Sequence, residues 1–328
     1  MNITVNNIKV PLCASRESVF EAALSVVRLH SVKADNPEIY RKSIDARRKK
    51  VSYVYSVKMR LISPPEDIPE NSDIKILKEE KVSIRKDAKI SYPVIVGSGP
   101  CGLFAAFVLA EAGYKPIIVE RGTDVDNRTK AVEDFFKTGK LDKSSNVQFG
   151  EGGAGTFSDG KLNTRIGDPL ERFVLNTFVK FGAHSDILID AKPHIGTDVL
   201  CKIIDKMVAR IEQLGGEVRF HTTFLNANFS MQNITEIHTN NGKIETGALV
   251  LALGHSARDT YETLISRELK IEAKNFSVGM RIEHLAESID KGMYGKMAGD
   301  KNLGHAEYAL SHNTKERGVY TFCMCPGG

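Results

Sequence analysis

The chain opens on alternation. Ile3 to Leu12 carries apolar residues close to every second position, which predicts a strand. Ser15 or Ser18 then offers a helix cap, and Val19, Ala22, Ala23, Val26 and Val27 recur at helical spacing as far as Leu29. Pro37 to Ala46 reads as a second helix, and Val51 to Leu61 alternates again as a strand. Tyr53 and Tyr55 fall on one side of that strand, where they would enter a core. Pro64, Pro65 and Pro69 break regular structure, and Ile74 to Ile90 is too charged to predict an element. Residues 1–90 therefore read as a small α+β module.

A different pattern follows. Pro93 to Val96 is a short apolar run, the signature of a buried strand, and it leads straight into Gly97-Ser98-Gly99-Pro100-Cys101-Gly102. A helix is predicted over Leu103–Ala112, ended by Gly113, and a second strand over Lys115–Val119, closed by Glu120. This is G-x-G-x-x-G inside a βαβ unit with an acid at the second strand's end, the fingerprint of dinucleotide binding. Gly97 permits the tight turn, Gly99 admits a pyrophosphate close to backbone, and Gly102 lets the helix pack on the sheet. The helix N-terminus supplies free N–H groups to the phosphates. Glu120 would accept from ribose hydroxyls. The competing reading is an ordinary glycine-rich turn.

Downstream, Phe149 to Leu162 holds five glycines between Gly150 and Gly160, which suggests backbone packed against a flat ligand or else a surface loop. Gly215 to Phe220 reads as a turn into a strand. Thr246 to Gly254 reads as a buried strand ending in glycine, with His255 to Asp259 at its carboxyl end. In doubly wound sheets that end is where ligands bind.

Composition sharpens the boundary between these two regions. None of the 27 glycines in the 328 residues precedes Gly97. Residues 1–90 hold 18 Lys+Arg against 12 Asp+Glu, so the overall +4 is a basic first module on a near-neutral body. Hydrophobic residues at 41% and charged at 26% exclude a disordered chain. Arg47 to Lys50 is a basic run; it reads as a solvated end of an element, with docking of RNA or an acidic partner as the rival. The five scattered cysteines, none in a C-x-x-C pair, point to a reducing compartment and away from a redox dithiol. No signal peptide pattern and no run of about 20 apolar residues is present, so the cytoplasm is the expected location.

The motifs also carry a resemblance. GSGPCG with Glu120-Arg121-Gly122, GEGGAGTFSDGKLNT, Lys192 to Asp198, LALGHSARDT from Leu251, VGMRIEH from Val278 and RGVYTFCMCPGG from Arg317 resemble the bacterial FAD-dependent proteins known as uncharacterised FAD-dependent dehydrogenases. These are similar to the glutathione-reductase-like, two-dinucleotide-binding flavoproteins. The resemblance implies non-covalent FAD. It places Gly97, Gly99, Pro100, Cys101 and Gly102 at the pyrophosphate, Glu120 at the adenosine ribose and Arg121 beside the adenosine. Gly152, Gly153, Lys161 and Leu162 would lie along pyrophosphate and flavin, and Thr223 on the adenine side. Ala252, Leu253 and Gly254 correspond to an Ala-Thr-Gly segment, with leucine in place of threonine. Members of the family continue past Pro326 to Gly328, into a Gly-Asp element that closes the FAD site, so the chain is expected to be C-terminally truncated.

The expected fold is thus α/β: a three-layer Rossmann-type FAD-binding domain over 91–264, preceded by the α+β module and followed over 265–328 by the start of a substrate domain. The expected activity is hydride transfer between FAD and an unknown small substrate. The alternatives are an RNA-associated flavoprotein and a remnant with impaired FAD binding. No second G-x-G-x-x-G is visible, which leaves NAD(P)H as electron donor open. His255 and Arg258 are candidates to steady a reduced flavin or orient substrate, as are Arg281 and His284. Cys323 and Cys325 form C-x-C, with a flavin-side role set against simple burial. No metal site is expected, membrane association is not expected and nucleic acid is disfavoured. Cys101 reads as a space-filling turn residue.

Overall fold

The computed structural model describes residues 1–47, 50–69, 72–78, 90, 92–157, 160–162, 164, 168, 170–231, 233–322 and 324. Strand β1 covers Asn2–Val10. Ser15, not Ser18, caps the helix that follows: its hydroxyl accepts from the Ser18 N–H at 3.2 Å, and α1 runs over Arg16–Leu29. Its buried stripe, Val19, Ala23 and Val27, lies on a sheet built from β1, β2 (Ala34–Asp45), β3 (Ser52–Leu61) and β4 (Ile74–Leu77).

The second helix expected over Pro37–Ala46 is instead the long strand β2. Pro37 is tolerated in the strand because the register shifts between Asp35 and Glu38, a bulge that excuses it from the ladder. Asn36 beside it takes φ 51°. A long antiparallel ladder to β3 then outweighs local helix propensity.

The sheet order is β2-β3-β1-β4, antiparallel throughout. This is the split βαβ arrangement, strand–helix–strand–strand–helix–strand, with its second helix reduced to a single 3-10 turn at Pro65–Asp67. Tyr53 and Tyr55 both enter the core, as their alternation implied.

The next region is three layers. The middle is a parallel sheet of order β11-β5-β6-β7, formed by β5 (Val94–Val96), β6 (Ile117–Val119), β7 (Glu217–Arg219) and β11 (Leu249–Leu251). Helix α2 (Pro100–Glu111) crosses from β5 to β6, and α3 (Val125–Thr138) follows β6. Helices α4 (Leu170–Phe181) and α5 (Thr197–Gln213) close the helical layer. Its core joins Leu103, Ala106 and Ala110 of α2 to Ile203, Met207 and Ile211 of α5. Edge-to-face pairs Phe104–Phe178 and Phe107–Phe181, with centroids 5.4 and 5.5 Å apart, lock α2 to α4. The opposite layer is an antiparallel sheet of β8 (Phe224–Ser230), β9 (Asn233–Thr239) and β10 (Gly242–Glu245). Phe224, Ile237 and Ile244 pack there against Val94, Val96 and Val119. The chain is an α/β fold of the expected class.

Helix α6 (Arg258–Ser266) follows β11 and ends in a turn, and residues 269–285 carry no helix or strand. Phe276, Val278, Met280 and Ile282 alternate along this stretch with their side chains exposed. Helix α7 (Ala286–Tyr294) then returns to the first module, and a short hairpin pairs β12 (Ser311–Asn313) with β13 (Gly318–Tyr320). Tyr294 and Ala306 are buried in the same core as Val57 and Met59, and the Tyr53 hydroxyl donates to the Asn302 carbonyl. The later segment thus adds a helix to the core whose own second helix is a single turn. Tyr53→Phe should lower stability by about 1 kcal/mol, the worth of one such bond. A two-state urea melt showing no change would show that the two segments do not depend on that bond.

Candidate functional site

The parallel register brings the strand ends level. Val96 pairs with Val119 on one side and Leu251 on the other, so Gly97, Glu120 and Ala252 share one rim. A cleft of about 400 Å³ opens there.

Each glycine of the fingerprint has a separate geometric duty. Gly97 has φ +101°, and a Cβ on it would sit 2.5 Å from the Ala252 carbonyl oxygen. A Cβ on Gly102 would sit 1.8 Å from the Gly97 carbonyl oxygen, so this glycine sets how closely α2 approaches β5. Gly99 differs: a Cβ there would meet only the Gly153 Cα, at 3.9 Å. The space before it is open, and Gly99 and Gly153 both line the cleft. Gly99 is the N-cap of α2 with no side-chain cap, and Pro100 is the first helical residue. The first N–H groups of α2 are left to a ligand, the arrangement that binds phosphate.

Glu120 is buried and already engaged. One oxygen accepts from the Ser98 N–H at 2.8 Å and the Ser98 hydroxyl at 2.9 Å, and the other from the Gly122 N–H at 2.8 Å. It therefore rigidifies the Gly97–Gly99 turn as well as lining the cleft. Arg121 beside it pairs with Asp259 at 2.9 Å and lies over the Phe149 ring, 4.9 Å from its centroid. That contact ties the end of β6 to α6.

The glycine-rich stretch folds around a buried guanidinium. Arg128 of α3 is fully buried. Its Nε donates to the carbonyl of Asn146 at 2.8 Å, and its Nη2 to that of Val147 at 2.9 Å. Its Nη1 donates to the carbonyls of Glu151 and Gly153, at 2.6 and 2.8 Å, and to the Thr156 hydroxyl at 3.0 Å. Gly150, at φ +118°, leaves room for its side chain. Burial lowers the Arg128 pKa to about 10, and nearby Glu120 works the other way. Glu151 is buried beside it and accepts from the Val125 N–H at 2.9 Å, at the start of α3. Burial raises its pKa to about 7, against that N–H, with Asp205 and Asp124 adding to the rise. The fold thus favours the neutral acid. Its contribution to stability is complete below the unfolded carboxylate's range and is lost as pH rises through about 7.

Three families match parts of the chain. One described as a domain of unknown function (DUF8436) matches residues 2–60, an FAD binding domain matches 92–134, and an FAD-dependent protein, C-terminal domain-like, matches 275–328. Two of these family models describe FAD-binding or FAD-dependent proteins, and the cofactor they support is FAD. An uncharacterised protein of Clostridium beijerinckii is 41% identical over 336 residues, covering all of this chain, which spans 63% of that relative's length. Among solved structures, THI4 of Thermovibrio ammonificans is 18% identical over 55% of this chain and 64% of its own, with a TM-score of 0.36. The atypical thioredoxin reductase TRi of Desulfovibrio vulgaris Hildenborough is 17% identical over 51% and 36%, with a TM-score of 0.26.

The cleft gathers Gly97, Gly99, Pro100, Cys101, Glu120, Arg121, Gly153 and the Ala252–His255 segment, most of the residues singled out from the sequence. Others lie apart from its lining. Gly102 faces β5, and Gly152 packs against Ile204 while its N–H donates to the Ser98 carbonyl at 2.9 Å. Lys161 is 3.6 Å from Glu307, and the Leu162 N–H donates to the Pro193 carbonyl. Thr223 donates its N–H to Asn240, while Thr222 lines the cleft in its place. Arg258 is exposed at the start of α6. Arg281 lies 4.0 Å from Glu283, and His284 bonds the Tyr308 hydroxyl at 2.9 Å, both exposed. Cys323 and Cys325 lie outside the described residues. Phe149, Phe224 and Tyr261 also line the cleft without having been singled out for it. Among the described residues no group of His, Cys, Asp and Glu could hold a metal ion, and no helix is long and apolar enough to cross a membrane.

Proposed function

We propose that this chain is the cofactor-holding part of an FAD-dependent oxidoreductase acting on a small substrate by hydride transfer. The observation that carries the reading is the Gly99–Gly153 cradle at the uncapped start of α2, where two glycines present their backbone to the cleft. Gly97, Gly99, Pro100, Cys101 and Gly153 would hold the pyrophosphate. Glu120, through the lone pairs not taken by Ser98 and Gly122, would hold the adenosine ribose. Arg121, already over the Phe149 ring, would flank the adenine. The flavin would extend past the Ala252–His255 rim, lined by His255, exposed with its Nδ1 2.8 Å from the Ser256 hydroxyl, and by Tyr261, whose hydroxyl donates to the Gly254 carbonyl. FAD when bound supplies the redox chemistry, and the protein supplies position and electrostatics.

The test is the visible spectrum of the purified chain before and after added FAD, followed by gel filtration. A retained flavin band near about 450 nm is the expected result. A colourless protein that takes up no FAD would sink the assignment. A second measurement locates the cofactor. Cys101 is exposed on the cleft wall and Cys13 is exposed in the first module. FAD should protect Cys101 from a maleimide by at least about tenfold while Cys13 reacts unchanged, as expected of a thiol covered by ligand. Peptide mass spectrometry reads both sites; equal labelling with and without FAD would remove the pyrophosphate from this wall.

A further inference from the structure

Glu151 is a buried carboxylate to which neither cofactor contact nor chemistry has been given. It sits in the chain between Gly150 and Gly153, both of which line the cleft, and the next residue, Gly152, is hydrogen-bonded to the Ser98 carbonyl of the fingerprint turn. The groups that face it are mostly acidic. Glu120 comes from the end of β6, Asp124 caps α3 and Asp205 comes from α5, with Asp126 in the first turn of α3 and Cys201 of α5 near Asp205. Among the described residues the cation set against them is Arg128, whose hydrogen bonds go to carbonyls and to Thr156 and not to the Glu151 carboxylate.

We propose that Glu151 takes up a proton when FAD binds, so that the protein holds its cofactor less tightly as pH rises through neutrality. The inference rests on FAD occupying this cleft. A pyrophosphate seated between Gly99 and Gly153 brings fixed negative charge next to a loop whose described residues give the Glu151 carboxylate no ion pair. The charged carboxylate is then disfavoured more in the complex than in the free protein, and thermodynamic linkage requires the complex to bind the extra proton. The burial that places Glu151 near neutrality sets the pH window in which this is felt. The carboxylate keeps its bond from the Val125 N–H in either state, so the loop need not unfold for the proton to enter.

The experiment is an FAD titration of the apoprotein, followed by flavin fluorescence quenching, at intervals between pH 6 and 9. The dissociation constant should rise about three- to tenfold across that range, up to the one decade per unit that a single coupled proton allows. Glu151→Gln, a neutral isostere, should bind at pH 8.5 about as tightly as the wild type does at pH 6.5. Asp205→Asn, at an exposed position, removes one repelling charge and should move the midpoint to lower pH with the fold intact. Calorimetry in two buffers of different ionisation enthalpy should show proton uptake near pH 7.5 by the wild type and not by Glu151→Gln. A pH-independent wild-type affinity, or the same slope in Glu151→Gln, would overturn the proposal. Absence of FAD binding at every pH would overturn it together with the cofactor assignment.

Discussion

Arg128→Met should cost about 3–5 kcal/mol of folding stability, the range for breaking a buried charged network, and should yield a protein that purifies without FAD. The side chain is the scaffold of the glycine-rich loop: four backbone carbonyls, from Asn146, Val147, Glu151 and Gly153, converge on one guanidinium. Methionine fills much of the volume but donates nothing, so those carbonyls lose their partners in a buried setting. Each orphaned acceptor costs about 1–3 kcal/mol before relaxation, and relaxation is what would carry Gly153 away from Gly99. The ring of Phe157, with the guanidinium carbon 4.7 Å from its centroid, would lose its cation as well. Arg128→Lys should fall between, because an ammonium has three donors and no fork to span the four carbonyls. Thermal melts and the flavin absorbance of the purified variants read both effects. A methionine variant within 1 kcal/mol of wild type and still yellow would show that the loop is held by other means.

This residue also marks where sequence reasoning stops. The turn from β5 through Gly102 to Glu120 was legible because a tight turn, a close backbone approach and a strand-end acid each demand one residue type at one spacing. Nothing comparable announces Arg128. It lies in an amphipathic helix where an arginine ordinarily faces water, and its role depends on carbonyls some twenty residues downstream that only the folded loop brings to it. The glycines of that loop were visible, yet their reason was partly misplaced. Gly150 lines the cleft but is shaped by Arg128, Gly152 is shaped by Ile204, and Gly153 presents backbone to the cleft beside Pro100. The misreading of β2 has the same origin. The bulge that accommodates Pro37 exists only beside β3. Likewise, the burial of Tyr294 with Met59 joins residues more than two hundred positions apart, beyond any local pattern.

Gly102→Ala and Gly99→Ala should separate folding from cofactor binding, although each adds the same single carbon. At Gly102 the new methyl would lie 1.8 Å from the Gly97 carbonyl oxygen, 3.0 Å from its carbon and 3.3 Å from Ile95 Cγ2. Backbone is the nearest neighbour and Ile95 is fully buried, so no flexible side chain can yield. Helix α2 would have to move off β5, against the Phe107–Phe181 and Phe104–Phe178 contacts that hold it. Overpacking of this kind costs about 1–3 kcal/mol where side chains give way, and more where only backbone can. The expectation is a loss of about 3 kcal/mol or more, with FAD lost as a consequence. At Gly99 the methyl meets only the Gly153 Cα, at an ordinary 3.9 Å, and φ is −68°, which alanine adopts freely. That variant should melt within about 1 kcal/mol of the apo wild type, as unstrained surface changes do. It should nevertheless bind FAD at least about a hundredfold more weakly, because the methyl occupies the space a pyrophosphate needs against the backbone. Thermal melts of the apoproteins and fluorescence titration with FAD decide between them. If Gly99→Ala binds as the wild type does, the cleft wall between Gly99 and Gly153 is not where the phosphates lie.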